Sequence, residues 1–330
     1  MTSYRHRIGH RLHVLAVCGL LGLGSAPPVA ACAFHGYTPN PTLVDILLAT
    51  EQVVVARPDS ADPTRYATLE TLAGPDVADI PLEVGREARK HLSGRPDATV
   101  LLARDGAYGP WLELAVLDTR YRALVTGVLK HQSDWAFGRD EDRLDHFAGL
   151  VNDPNPDIRD LALRELDRAP YGALQKARLP KVQNLARDLA TGERDLAPIR
   201  VLLAGLSGDR GFAPGLSADL DAAIRAGTPY MGAYATALIE LQGASAVDML
   251  LVRYLRNNSL PIETREKILE GLAIQHKTGS SPTRRAIAVG VADLLRSSPE
   301  LRGAAERQFG FRTHWSLGHS ASGTDRAIDR

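Results

Sequence analysis

Apolar residues recur through residues 140–310 at the three-and-four spacing of helices that bury one side. In "NPDIRDLALREL" the stripe is Ile158, Leu161, Ala162 and Leu166, with Asn155 as N-cap and Pro156 at the first helical position. "PIRVLLAGLSGD" carries Ile199, Leu202, Leu203 and Leu206, "YATALIELQG" carries Tyr234, Leu238 and Leu241, and "KILEGLAIQHKTG" carries Leu269, Leu272 and Ala273. Partner helices lie between them, through Val247, Leu250, Leu251 and Tyr254 and through Ile287, Val291, Leu294 and Leu295. Leu166, Leu206, Leu241 and Leu272 follow one another at 40, 35 and 31 residues. Two helices per unit at a drifting period of this size predict an α-solenoid, in which each unit covers its neighbour's apolar face. An irregular helical bundle is the competing reading.

Upstream the period changes. "PTLVDILLAT" reads as a short helix with Leu43, Ile46, Leu47 and Thr50 on one face. "EQVVVARPD" and "TRYATLETLAG" read as strands, "DIPLEV" as a short third, and "EARKHLSG" as a polar helix ended by Gly94. "ATVLLARDGAYGPWLELAVLD" reads as a hairpin, with Asp105-Gly106 and Gly109-Pro110 supplying the turn. Five short strands in one compact stretch fit a small OB-like barrel or sandwich. "LDTRYRALVTGVLKHQSDW" follows as an amphipathic helix through Tyr121, Leu124, Val125, Val128 and Leu129. The fold class expected is therefore α+β in two domains, a five-stranded OB-like β domain over residues 32–135 and an all-α solenoid over 136–310. A flexible tail is expected at 311–330, where His314, Trp315 and His319 lie among glycine and serine.

The first 31 residues stand apart. They carry Arg5, Arg7 and Arg11, no acidic residue, and an apolar centre over residues 14–24. That length suits a signal-peptide core and is too short to span a bilayer, so 1–31 reads as a cleaved export signal. Removing three arginines from 39 basic residues leaves 36 against 39 acidic ones, a mature charge near −3. Neither a basic patch for nucleic acid nor a charged block remains. Cys18 leaves with the leader, so Cys32 is the one cysteine of the mature chain and a disulfide framework is excluded.

Val29-Ala30-Ala31-Cys32 resembles the bacterial lipobox, with valine where leucine is commonest. The resemblance implies a diacylglycerol on Cys32, membrane attachment through that lipid, and outer-membrane sorting, since Ala33 follows the cysteine. Ordinary cleavage before Cys32 or Phe34 fits the same small residues and stays open. A third reading places copper or zinc on Cys32 and His35, whose thiolate and imidazole suit both metals. The next histidine, His91, is far outside structural-zinc spacing.

"LVNDPNPDIRDLALREL" resembles the HEAT repeat through Asp153, Pro154, Asn155, Pro156, Arg159, Ala162 and Leu166. The later units keep the stripe and lose the turn. The β-rich stretch resembles the netrin and metalloproteinase-inhibitor module in layout only, since Cys32-Ala33-Phe34 lacks that module's second cysteine. His-Glu-x-x-His, Cys-x-x-Cys, Gly-x-Ser-x-Gly and Walker patterns are absent from the chain. His276 falls on an apolar stripe and reads as a packed histidine, while His131 and His146 flank the domain junction.

The expectation that follows is an exported, periplasmic or outer-membrane-anchored scaffold. It would bind an envelope protein, with no cofactor, no nucleic acid and no catalytic residues. A metal-binding envelope protein using Cys32 and His35 is one alternative. A hydrolase, visible as a pocket gathering Asp, His or Glu, is the other.

Overall fold

The computed structural model describes residues 41–310, apart from 96, 107, 108 and 193. Val29, Ala30, Ala31, Cys32 and His35, the leader and the tail histidines lie outside the described residues. The chain is mixed α and β, with a curled five-stranded antiparallel half-barrel first and a mostly helical region after it.

Helix α1 (Leu43–Ala49) opens with a capping box, in which Thr42 accepts from the Asp45 amide and Asp45 accepts from the Thr42 amide. Strands β1 (Gln52–Pro58), β2 (Arg65–Ala73) and β3 (Ile80–Glu83) form a meander. Helix α2 (Arg86–Leu92) then leads to β4 (Thr99–Arg104) and β5 (Leu112–Leu117), and the sheet order is β3-β2-β1-β4-β5. All four pairings are antiparallel.

The run "VVV" is continuous because the central strands are buried on both faces. Val53, Val55, Leu101 and Ala103 face the helices, while Val54, Ala56, Val100 and Leu102 face an inner core. Tyr66, Ile80, Val84, Ala88 and Trp111 fill that inner core. The two ends of the sheet meet at Glu113 of β5. Its Oε1 accepts from the Tyr66 hydroxyl of β2 at 2.7 Å and from the Gly85 amide, just past β3, at 2.6 Å. These bonds hold the sheet curled. Burial, then the adjacent Glu113, raises the Tyr66 phenol above its usual range, so it stays a donor.

Helices α3 (Thr119–Lys130), α4 (Gln132–Ala136), α5 (Asp140–Ala148) and α6 (Pro156–Asp167) follow. The helix expected within residues 117–135 breaks at His131, which stacks on Trp135 with ring centres 5.0 Å apart. Trp135 also meets His146 at 5.5 Å, so the two junction histidines share one buried indole. The buried Arg143 of α5 pairs with Asp45 at 2.9 Å and Glu165 at 2.6 Å, tying α1, α5 and α6 together.

The remaining helices are α7 (Tyr171–Leu174), α8 (Leu185–Thr191), α9 (Ala197–Leu206), α10 (Ala213–Ala226), α11 (Met231–Gln242), α12 (Ala244–Leu250), α13 (Ile262–Thr278), α14 (Ser281–Ser297) and α15 (Arg302–Phe309). A π-helical turn, Leu251–Leu255, extends α12, where the sequence predicts one regular partner helix. Helix α11 packs on α9 and α13, and α13 packs on α15, which makes one row. Helices α12 and α14 pack side by side in a second. One apolar core runs from Val44 through the sheet's outer face to Phe309. The β-rich and helical halves are therefore joined by packed side chains.

Helix α11 is buried from Met231 to Ile239 without a break, so it has no polar face. Its neighbours come close at glycines. A methyl group on Gly205 would stand 2.7 Å from the Ala237 Cα, and one on Gly271 would stand 2.7 Å from the Gly232 carbonyl oxygen. Gly215, exposed on α10, has open space around it. Gly271→Ala is expected to lower stability by about 1–2 kcal/mol in urea unfolding, because overpacking outweighs the helix-propensity gain. Gly215→Ala is expected to raise it by ~0.5–1 kcal/mol. Equal responses at the two sites would contradict the close crossing.

Candidate functional site

The residues of the HEAT-like turn meet as a network. Arg120 donates Nε to both Asp153 carboxylate oxygens at 2.9 Å, and the Asn155 amide donates to Asp153 Oδ1. Asn155 Oδ1 caps α6 by accepting from the Asp157 and Ile158 amides, while its Nδ2 donates to Asp118, the N-cap of α3. Arg159 donates to the carbonyls of Asp153 and Pro154. This network fixes where α6 starts against α3, and its role is structural. Its acceptor, Asp153, is held below the usual carboxylate range first by the Arg120 bonds.

A cleft of about 380 Å³ separates the half-barrel from α6, with His91, Arg95, Tyr121, Asp157 and Arg164 among its walls. A second cavity, of about 540 Å³, has a more ordered polar wall. It lies where α9, α11 and α13 end, and Leu206, Ile239–Gln242, Gln275 and Gly279 line it. Helix α14 starts on the same cavity, and its first turn is capped by Ser280, which accepts from the Thr283 amide.

Glu240 is the hub of that wall. Its Oε2 accepts from the Tyr171 hydroxyl at 2.8 Å, Gln175 Nε2 at 2.9 Å and Gln275 Nε2 at 2.8 Å. Gln275 is itself fixed, since its amide also donates to the Thr236 carbonyl of α11 at 3.2 Å. Burial, then the Glu240 charge, keeps Tyr171 protonated far above its ordinary range. All three bonds fall on one carboxylate oxygen, which leaves Oε1 outside this network. Among the described residues no ion pair is formed by Glu240, whose partners are neutral; Arg210, exposed, lines the same cavity.

The sequence-stripe residues Leu206 and Leu241 do line this cavity, but Glu240, Tyr171, Gln175 and Gln275 were not legible as a site. The available signal was Glu240 itself, a lone charge in the apolar run "MGAYATALIEL". His276 is half-buried against Phe309, with ring centres 5.4 Å apart. Among the described residues no group of three His, Cys, Asp or Glu side chains converges to hold a metal, and the Cys32–His35 pair lies outside them. No described helix is long and apolar enough to cross a membrane. No protein-family model, curated protein or solved structure matches the chain.

One carboxyl away from the cavity wall titrates near neutrality. Burial pushes Glu270 of α13 up to about 7, with Lys267 opposing the shift. The folded state thus holds this proton more tightly than the unfolded state. The stability it contributes is complete below the unfolded value of 4.5 and is lost as pH rises through about 7. Glu270→Gln is expected to match wild type at pH 4 and to exceed it at pH 8 by on the order of 2–3 kcal/mol, read from denaturant midpoints. An equal difference at both pH values would contradict the assignment.

Proposed function

We propose that the chain is an exported bacterial envelope protein that binds a partner protein, built as an OB-like half-barrel joined to a HEAT-like α-solenoid. The observation that carries the reading is the two-row packing of helices, α9–α11–α13–α15 beside α12–α14. Such stacks present an extended surface on rigid helices. The strand order β3-β2-β1-β4-β5, with α2 between β3 and β4, supports the OB-like part. The Asp153–Arg159 turn network supports the HEAT-like part. The leader and the Val29–Cys32 stretch support export, with Cys32 carrying a lipid or beginning a soluble mature chain.

The second row carries exposed apolar side chains next to its tightest crossing. Leu251 packs on Gly290, and their sequence neighbours Val252 and Val289 are 66% and 59% exposed. A photo-crosslinking residue at Val252 or Val289, irradiated in envelopes of the native host, is expected to give an adduct of one defined mass. The same group at Asp97, on the far half of the chain, serves as control. Adducts at Val252 and Val289 no more specific than the control's would contradict the scaffold reading.

A further inference from the structure

We propose that the Glu240 cavity is a binding site for an organic cation, an ammonium or guanidinium group on an aliphatic stem. Three observations bear on it. The Glu240 carboxylate is half-buried and fully oriented, yet its three partners are neutral donors. Neutral hydrogen bonds offset desolvation and leave the negative charge in place. Three helices, α9, α11 and α13, end at the cavity, and helix C-termini add partial negative charge. Two helix starts also border the cavity: that of α14 is already capped by Ser280, while that of α12, at Gly243, has no side-chain cap.

The wall also has the right acceptors. Oε1 of Glu240 takes none of the three internal bonds, so an entering N–H donor meets a charged acceptor held in one orientation. The half-buried side chain of Leu206 offers apolar surface for the stem, with the buried Ile239 and Leu241 behind the same wall. A volume of about 540 Å³ admits a lysine- or arginine-sized group with its first waters. Arg210 is the competing charge on the cavity lining, and its exposure lets solvent screen it.

The same group occurs on a free amine and on a lysine or arginine side chain of a polypeptide. The site does not depend on the scaffold reading, which fails or stands by crosslinking alone. Calorimetric titration of the purified full chain with n-butylamine, n-butylguanidine and the capped peptide Ac-Gly-Gly-Lys-Gly-Gly-NH2 separates the sources. Binding of the small cations assigns a free-amine site; binding of the peptide as well assigns a side-chain subsite. In either case Glu240→Gln, checked for an unchanged fold by circular dichroism, is expected to weaken binding at least about tenfold. Arg210→Ala is expected to tighten it. Absence of binding by all three probes, equal binding to Glu240→Gln, or weaker binding to Arg210→Ala would each overturn the proposal. Should Glu240→Gln fail to fold, Gln175→Leu, which removes one orienting donor from a half-buried position, is expected to weaken binding and serves in its place.

Discussion

Helix α11 has no side to give to water, and the helical half is arranged to meet that constraint. An α-helix apolar on every face is stable only when every face is covered. Helices α9 and α13 supply two flanks, with α10 and α12 on the others. The glycines at positions 205 and 271 bring the two flanking backbones near enough to leave no void. Hydrogen bonds then lock the same crossing: Gln275 of α13 donates to the Thr236 carbonyl, and the Thr236 hydroxyl donates to the Gly271 carbonyl at 3.4 Å.

The same arrangement places a charge. Glu240 lies in the last turn of α11, where the helix leaves its enclosure. A carboxylate one turn earlier would be sealed among apolar side chains at large cost. At position 240 it can reach neutral donors from α7, just beyond it in Gln175, and from α13, while still bordering open space. A row built to bury one helix thus ends in an oriented carboxylate beside a cavity. The half-barrel uses a comparable device at Glu113, where a single carboxylate oxygen joins distant strands by accepting from Tyr66 and Gly85.

Much of the secondary structure was legible because the local signals agree. The β-branched run at Val53–Val55 and the Asn155-Pro156 helix start each have a one-to-one physical cause in the folded chain. Helix α10 was missed, since alanine and glycine dilute the stripe of Leu216, Leu220 and Ala223. The π-helical turn after α12 was also missed, because no residue type marks it. The join between the halves was illegible for another reason. Strand residues facing the helices look the same as those facing the inner core until the sheet is placed. The cavity wall draws on Tyr171, Gln175 and Gln275, which lie 69, 65 and 35 residues from Glu240. Periodicity reports which residues are buried on one element, and it carries no information about polar groups meeting across such spans.

If α11 is the element on which the helical half is assembled, its amides open only when that half unfolds as a whole. Native-state hydrogen exchange measures this directly. The account predicts that the amides of the last two turns of α11, residues 235–242, exchange more slowly than any in α8 or α2, with a free energy of opening equal to that of global unfolding. Exchange of α11 by a local opening, at rates like those of α8, would contradict it.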